Sequence, residues 1–226
     1  MERTGSLILE AIFPTRCVGC SADGSWCCEE CLEAIEFVTS DPSCPSVGND
    51  ALLSGLVAVG FYHDPRVRAL IHGLKYDLGT CLLPSFETLL ERSASQRRDS
   101  WPWADEGTLG IQHVPAAPDR VRARGFDQAE LLKGVVKETL VPWAVDMTFL
   151  ERSATTKVQA DLPHGPLREA NVMASFGPST GTGSIPKAVI LVDDVFTTGA
   201  TMRAAARILR SKGVERVYGV VFALGA

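Results

Sequence analysis

Two adjacent carboxylates precede a threonine- and glycine-rich loop near the C-terminus. The stretch reads Val192-Asp-Asp-Val-Phe-Thr-Thr-Gly-Ala-Thr201. Asp193 and Asp194 can accept hydrogen bonds from the vicinal hydroxyls of a sugar. The loop after them offers backbone N–H groups and three threonine hydroxyls at the start of a predicted helix, an arrangement that binds a phosphate monoester. The stretch therefore predicts a sugar-phosphate site, with hydroxyls on the acids and phosphate on the loop.

Other phosphate motifs fit this loop poorly. The lysine of a Walker loop is absent, and so is the Gly-x-Gly-x-x-Gly pattern of dinucleotide-binding folds. A simpler alternative is that Asp194 or Thr198 only caps the helix that follows. Capping would explain one side chain, but it would not explain two acids, three threonines and a glycine in one loop.

A second set of chemically active residues lies near the N-terminus. Five of the seven cysteines fall between residues 17 and 31, in the pairs Cys17-Val-Gly-Cys20 and Cys28-Glu-Glu-Cys31. Each two-residue spacer lets both sulfurs face one point, so these four cysteines are predicted to hold a structural zinc ion. Cys27 could replace Cys28, and a redox dithiol or unbound buried cysteines are further alternatives. Cys44 and Cys81 are predicted to be small buried apolar residues.

Strands and helices that alternate along the chain must position these groups. Strands are predicted at 56–62, 109–114, 145–150, 187–192 and 217–223, and helices from Pro65, at 126–140 and after the threonine loop. The valine-rich runs are typical of strands buried on both faces of a parallel sheet. An open α/β sheet of this kind binds its ligands at the carboxyl ends of its strands, where Asp193 and Asp194 are expected.

The chain is predicted to have two parts. Residues 1–50 form a cysteine-rich zinc-ribbon module and linker, and residues 51–226 form the α/β domain. The polar segments 93–108 and 177–184 are predicted to be surface loops. The longest apolar runs are about ten residues, and the N-terminus lacks a secretion signal, so we expect a cytoplasmic protein without membrane insertion. A net charge of −5 argues against a protein that coats nucleic acid.

The acid-threonine stretch resembles the phosphoribosyl-pyrophosphate (PRPP) motif of type I phosphoribosyltransferases. Four further segments extend the resemblance to the ComF subfamily, whose members carry a cysteine ribbon ahead of the transferase domain. These segments are His72-Gly-Leu-Lys-Tyr76, Arg122-Ala-Arg-Gly-Phe-Asp-Gln128, Leu150-Glu-Arg-Ser-Ala-Thr-Thr-Lys-Val-Gln159 and Arg168-Glu-Ala-Asn171. The resemblance implies an α/β type I phosphoribosyltransferase fold, with an open, mainly parallel sheet flanked by helices and a small N-terminal zinc ribbon.

The resemblance also implies an activity and its residues. The protein would bind PRPP with Mg²⁺ and transfer the phosphoribosyl group to an acceptor that no residue pattern specifies. Asp193 and Asp194 would be the catalytic acids, and the turn after Val114-Pro115 would lie near the pyrophosphate. The other PRPP-binding residues would be Lys75, Arg122, Arg124, Val195, Thr197, Thr198, Gly199, Ala200 and Thr201. As alternatives, Lys75 only complements a helix dipole, Arg122 and Arg124 are solvated, and Arg168 and Asn171 only order a loop.

The sequence departs from the subfamily at two positions. Position 127 is Asp where the family usually has Asn, which adds negative charge near the phosphates, and Cys44 lacks the partners of a second zinc site. None of the four histidines shows metal spacing or an evident partner carboxylate.

A rival function is a non-catalytic, PRPP-sensing adaptor that docks onto a DNA-uptake protein or single-stranded DNA. Transcriptional regulation is a weaker rival, because neither a helix-turn-helix nor a basic face is evident.

Overall fold

Five parallel strands form the central sheet of the protein. The computed structural model describes residues 15–39, 52–76, 79–97, 101–152, 176–178 and 185–225. The strands lie in the order β1-β7-β6-β2-β3, and every pairing between them is parallel. They are β1 (Gly55–Phe61), β2 (Leu109–His113), β3 (Val145–Asp146), β6 (Ala188–Phe196) and β7 (Arg216–Leu224). A separate antiparallel pair joins β4 (Leu150–Arg152) to β5 (Phe176–Pro178).

The strand β6 lies at the centre of this sheet, and both of its faces are buried. Successive side chains of a strand point to opposite faces. Ile190 and Val192 accordingly join one hydrophobic core, and Val189 and Leu191 join the other. Such continuous burial explains why the predicted valine-rich runs form central strands. The predicted α/β fold class is confirmed, and β6 holds the acids at the end of a rigid element.

Helices pack around the sheet and lead into the site. The six helices in the described residues are α1 (Glu29–Glu33), α2 (Pro65–Tyr76), α3 (Leu83–Gln96), α4 (Pro118–Arg124), α5 (Gln128–Leu140) and α6 (Ala200–Ser211), and a 3₁₀ turn covers Gly79–Leu82. Helix α2 begins at Pro65 as predicted, because proline suits the first turn of a helix. Among these helices, none is long and apolar enough to cross a lipid bilayer.

The single strand predicted over 145–150 is wrong. Strand β3 ends at Asp146, and Leu150 begins β4 in the other sheet. Between them, the Phe149 N–H donates to the buried side chain of Gln112 at 3.0 Å. The Gln112 amide thus bonds the backbone where the chain passes from one sheet to the other, and the hydrophobic pattern gives no sign of this contact.

The polar segments 93–108 and 177–184 were both predicted to be surface loops, and neither is a loop throughout. Helix α3 continues to Gln96, and Trp103 is buried with its ring in edge contact with Tyr218, 6.0 Å between centroids. The Glu106 carboxylate accepts from the Tyr218 hydroxyl at 2.5 Å and pairs with Arg216. This segment therefore packs against the start of β7. In the second segment, residues 177–178 belong to β5, and 179–184 lie outside the described residues.

The cysteine-rich segment shares one hydrophobic core with the sheet. Leu32, Ile35 and Phe37 lie in the same cluster as Val57 and Leu70. The backbone also connects the two parts, because Phe37 bridges Gly60 in antiparallel fashion and the Val38 N–H donates to Val59 at 3.0 Å. The predicted boundary near residue 50 falls within 40–51, outside the described residues. The ribbon and the sheet therefore share one core, and we expect their folding to be coupled.

Candidate functional site

The two acids lie at the carboxyl end of β6. Asp193 pairs in register with Val221 of β7, and Asp194 follows on the opposite face of the strand. Asp194 is buried, with 7% of its surface exposed, whereas Asp193 is half-buried. The Asp194 N–H donates to Asp193 Oδ1 at 2.8 Å. The pair thus stands at the edge where a parallel sheet binds its ligands.

Lys75 is the counter-ion of the second acid. Its Nζ lies 2.5 Å from Asp194 Oδ2, and 22% of the lysine side chain is exposed against 9% of the aspartate side chain. Helix α2 brings Lys75 there from the last turn, where a helix dipole also favours a cation. Because the pair is largely shielded from water, its attraction is stronger than that of a surface pair. The structure therefore joins Lys75 to the acids.

The first acid is held in an environment that opposes its charge. Burial raises the pKa of Asp193 well above its ordinary value, and the neighbouring charge of Asp194 raises it further. Lys75 and the Asp194 N–H act in the opposite direction. The two carboxylates therefore resist carrying two negative charges together. Hydroxyl donors or a cation at this edge would relieve that resistance.

The threonine loop turns sharply between β6 and α6. Gly199 has φ +73°, a left-handed conformation that favours glycine, and a Cβ there would overlap the Phe196 ring. Thr197 and Thr198 are exposed, and the Ala200 N–H donates to Thr198 Oγ1 at a long 3.4 Å. The N-cap residue of α6 is Gly199, which has no side-chain cap bond. Asp194 does not cap α6, because its carboxylate pairs with Lys75. The loop therefore brings two exposed hydroxyls and the amides at the start of α6 to the carboxyl end of β6.

The two predicted arginines differ in their surroundings. Arg122 is exposed and pairs with Asp119 on the same short helix, α4. The Arg124 guanidinium donates to Gln128 Oε1 at 2.7 Å and lies over the Tyr76 ring, 4.9 Å from its centroid. Arg124 therefore packs on exposed Tyr76 at the end of α2. Arg122 is engaged on its own helix.

Asp127 ties the turn after β2 to helix α5. Its Oδ2 accepts from the Ala116 N–H at 2.7 Å, and its Oδ1 accepts from the Ala129 N–H at 3.0 Å. His113 Nε2 lies 3.7 Å from the same carboxylate, so the expectation that no histidine has a partner carboxylate is wrong. Burial lowers the pKa of His113, although Asp127 opposes that shift. Two backbone amides therefore bind the Asp127 carboxylate, whose charge an asparagine at this position would lack.

Four cysteines form a cluster of metal-binding geometry. The sulfurs of Cys17, Cys20, Cys28 and Cys31 all lie within 4.8 Å of one another, and Cys20 Sγ is 3.6 Å from Cys28 Sγ. A tetrahedral ion with Zn–S bonds of about 2.3 Å would separate its sulfurs by about 3.8 Å. Burial and neighbouring thiols raise the pKa of Cys31, so a cation's charge would be needed to hold all four as thiolates. The donor set therefore fits zinc.

The remaining cysteines do not belong to this cluster. Cys27 is buried, and burial raises its pKa to about 12, so it remains a protonated thiol in the core. Cys28 stands in the cluster instead. Cys81 is exposed, so its predicted burial is wrong: the 3₁₀ turn presents it to solvent. Cys44 lies outside the described residues, within which this is the single four-cysteine group.

Sequence reasoning missed two arginines beside the site. Arg203, one turn into α6, donates to the Thr198 carbonyl and lies 5.9 Å from the Phe196 ring centroid. Arg152, at the end of β4, donates to the Pro115 carbonyl at 3.5 Å. Arg152 lies within the segment Leu150–Gln159 that carries the family resemblance, which was its one available signal. Arg168 and Asn171 lie outside the described residues.

Comparison with protein families identifies both parts of the chain. Residues 8–59 match the double zinc ribbon domain, and residues 155–225 match the phosphoribosyl transferase domain. The second match contains β6, the threonine loop, α6 and β7, which are the elements that carry the acid pair. The chain is therefore a phosphoribosyltransferase-domain protein with an N-terminal zinc ribbon.

Two bacterial proteins narrow this class. The chain is 29% identical over 104 residues to the competence protein ComFC of Streptococcus pneumoniae, across 46% of this chain and 43% of that protein. It is 30% identical over 112 residues to the competence protein F of Haemophilus influenzae, across 46% of this chain and 45% of that protein. The chain thus spans less than half the length of these relatives. In both its domain content and these stretches of sequence, the chain is similar to ComF competence proteins.

Proposed function

We propose that this protein binds PRPP with Mg²⁺ and transfers its phosphoribosyl group to an acceptor. The observation that carries the proposal is the juxtaposition, at the end of one central strand, of two carboxylates, a lysine and a glycine-turned phosphate loop. Vicinal hydroxyls of the ribose would donate to Asp193 and Asp194. The 5-phosphate would accept from the backbone N–H groups and hydroxyls of residues 197–201.

The chemistry of the transfer suits this arrangement. The bond between ribose C1 and a pyrophosphate oxygen breaks, the acceptor forms a bond to C1, and positive charge develops on the ribosyl ring. A carboxylate pair beneath the ring stabilises that charge more in the transition state than in the ground state. Lys75 lies against Asp194 and would balance the negative charge of the pair before the ligand binds. Mg²⁺ bound together with PRPP would supply positive charge to offset that of the departing pyrophosphate.

Zinc has a structural role in this proposal. The cluster Cys17, Cys20, Cys28 and Cys31 supplies four ligands, which closes a tetrahedral site and excludes a substrate from the metal. Its sulfurs must stay reduced, so we expect the protein in the cytoplasm, where thiols are maintained. The metal would hold the ribbon against the sheet.

Calorimetric titration with PRPP and Mg²⁺ tests the proposal directly. We expect the wild-type protein to bind PRPP, and the double variant Asp193→Asn/Asp194→Asn to lose at least about 100-fold in affinity, because amides replace both carboxyl groups and remove their charge. Asp146→Asn is the matched control, since that carboxylate lies on β3 and pairs with Lys133 and Lys137. Wild-type protein that does not bind PRPP, or a double variant that binds it unchanged, would refute the assignment.

A release assay separates an enzyme from a sensor. Pyrophosphate release would be measured with PRPP, Mg²⁺ and a panel of nucleobases and amines. Release that depends on one acceptor and disappears in the double variant supports transfer. Intact PRPP binding with no release from any acceptor supports the non-catalytic adaptor.

One surface feature favours the adaptor as a second candidate. A shallow groove separates Val18 of the ribbon from helix α2, and it is lined by Tyr62, Arg68 and His72. An aromatic ring beside a guanidinium is a combination that single-stranded nucleic acid binds. Fluorescence anisotropy with a labelled single-stranded oligonucleotide tests this candidate. Binding that Arg68→Gln weakens, with PRPP affinity unchanged, would support it.

A further inference from the structure

Helix α2 extends from the cysteine-rich ribbon to the acid edge. Its 12 residues span about 18 Å at a rise of 1.5 Å per residue. In its first turn, Val67 belongs to the same hydrophobic cluster as Cys31 of the ribbon. In its last turn, Lys75 Nζ lies 2.5 Å from Asp194 Oδ2. One continuous helix therefore reaches both polar sites of the protein.

Arg66 joins the start of α2 to the ribbon through a polar contact. Its Nη1 donates to the Ala34 carbonyl at 2.9 Å. Ala34 is the residue at which α1 ends, and the last carbonyls of a helix lack partners within that helix. The stem of Arg66 also lies beside the turn between the first two cysteines, since a Cβ at Gly19 would stand 3.6 Å from Arg66 Cγ. Arg66 therefore contacts the ribbon at two places.

A buried carboxylate holds the Arg66 guanidinium in place. Asp64, with 8% of its surface exposed, accepts from the Arg66 backbone N–H at 2.8 Å and from Arg66 Nη1 at 3.1 Å. Only 33% of the Arg66 side chain is exposed, so this ion pair is more shielded than one on the open surface. Since Asp64 bonds both the backbone and the side chain, the contact orients α2 together with the guanidinium.

The position of the Ala34 carbonyl depends on the cysteine cluster. Helix α1 has five residues, and a helix of that length is not stable alone in water. Cys28 is the N-cap residue of α1 and Cys31 lies within it, so a zinc ion bound by the cluster would fix this helix. Loss of the metal would release α1 and, with it, the carbonyl that Arg66 binds.

We propose that Arg66 is a positioning residue that couples metal binding in the ribbon to PRPP binding at the acid edge. The inference rests on the proposed function. With α1 fixed, Arg66 holds α2 in the position that brings Lys75 against Asp194. Lys75 then balances part of the negative charge at the edge, which favours an anionic ligand. Without the metal or without Arg66, α2 shifts, Lys75 moves away from Asp194, and the affinity for PRPP falls.

A double-mutant cycle tests whether Arg66 acts through Lys75. PRPP affinity in the presence of Mg²⁺ would be measured by calorimetry on the wild type, Arg66→Gln, Lys75→Met and the double variant. We expect Arg66→Gln to weaken PRPP binding by about five- to tenfold. In the Lys75→Met background, the same substitution should have less than about a twofold effect. Arg66→Lys, which keeps the charge but loses the planar fork, should recover part of the affinity.

Arg92→Gln is the matched control. Arg92 lies on α3 and pairs with Glu29 of α1, so this variant removes the same charge and a contact to the same short helix without a change in α2. It should alter PRPP affinity by less than about twofold. Hydrogen exchange of the backbone amides of residues 72–76 gives a second readout. We expect faster exchange there in Arg66→Gln and in zinc-depleted protein, but not in Arg92→Gln.

Zinc-depleted protein, freed of chelator, should bind PRPP at least about tenfold more weakly than the zinc-loaded form. Arg66→Gln keeps all four cysteines, so it tests the coupling even if depletion unfolds the protein. Wild-type affinity in Arg66→Gln would overturn this inference alone. So would equal losses in Arg66→Gln and Arg92→Gln, or an Arg66→Gln effect that persists in the Lys75→Met background. If zinc-loaded wild-type protein does not bind PRPP, the proposed function fails with the inference.

Discussion

The cysteine cluster and the acid edge are both polar sites on one framework, but they are built in opposite ways. Four ligands of the cluster come from residues 17 to 31, face one point and suit one ion. The acid edge draws on β6, α2 and β4, which are distant in sequence, and it concentrates like charges. A metal ion in the cluster would stay bound as part of the folded protein, whereas a small molecule at the acid edge would bind and dissociate.

The two regions should therefore affect stability with opposite sign. Metal binding to the cluster adds to the free energy of unfolding, because the unfolded chain offers no preformed site. The raised pKa of Asp193 lowers the free energy of unfolding. A carboxyl that ionises less readily in the folded state than in the unfolded state destabilises the fold once the pH exceeds the ordinary aspartate pKa of 3.8. Functional sites commonly carry such a cost.

Removal of the metal is the largest expected effect. Chelation, or Cys28→Ser, should lower the free energy of unfolding by at least about 3 kcal/mol, because the metal's binding energy is folding energy. The transferase part should melt earlier too, since Leu32 and Phe37 share a core with Val57 and Leu70. Differential scanning calorimetry with metal analysis measures both effects.

Two other cysteines serve as controls for that experiment. Cys81→Ser changes an exposed residue outside the cluster and should leave zinc content and melting temperature unchanged. Cys27→Ala removes a buried thiol beside the ligands, so it should cost about 1 kcal/mol while zinc content stays the same. Zinc-free protein that melts like the zinc-loaded form would contradict the coupling.

Loss of the counter-ion at the acid edge comes next. Lys75→Met keeps the length of the side chain but leaves Asp194 shielded without its cation, so we expect a loss of about 1–3 kcal/mol at neutral pH. Urea unfolding measures it. The surface pair of Lys187 with Glu215 is the matched control, and Lys187→Met should cost less than about 0.5 kcal/mol. Equal effects from the two variants would remove the distinction between shielded and surface pairs.

Asp193→Asn should have the opposite sign and stabilise the protein. The gain is small near pH 4 and grows as pH rises from the ordinary pKa of 3.8 to the raised pKa of the folded wild-type carboxyl. Above the raised pKa it levels off, because the wild-type carboxyl is then ionised in both the folded and the unfolded state. We expect about 0.5–2 kcal/mol at neutral pH, together with weaker PRPP binding. Melting temperatures across pH 4–8 would show it. A variant that is less stable at every pH would show that Asp193 supports the fold.

Asp127→Asn is expected to have the smallest effect on stability. Asparagine can still cap α5 through its oxygen but cannot accept from both amides, so we expect a loss of about 0.5–1 kcal/mol. Less negative charge beside the turn should raise PRPP affinity by about two- to threefold. Asp119→Asn removes a charge from the exposed face of α4 without loss of a cap, and it should change stability little. If both variants affect stability alike, Asp127 does not anchor the turn.

Local patterns predicted the cluster, the acid-threonine stretch and the central strands. Each depends on residues within about 15 positions, such as Cys17 to Cys31 or Val192 to Thr201. Contacts between distant residues were beyond such patterns. The buried Gln112 divides the segment 145–150 between two sheets, and Trp103 is buried by Tyr218 of the last strand. The same holds for the site. Its two acids belong to one local pattern and were predicted, whereas Arg152 lies on β4, which pairs with the distant strand β5.

The bridge between Phe37 and Gly60 has a consequence for solubility. Strand β1 lies at one margin of the sheet, and an uncovered margin presents backbone donors and acceptors to which strands of other molecules can add. The bridge and the Val38 N–H bond to Val59 occupy part of that margin. Detachment of the ribbon would therefore do more than loosen one molecule. It would open a template for intermolecular strand addition, and metal-depleted protein should aggregate in proportion to its concentration.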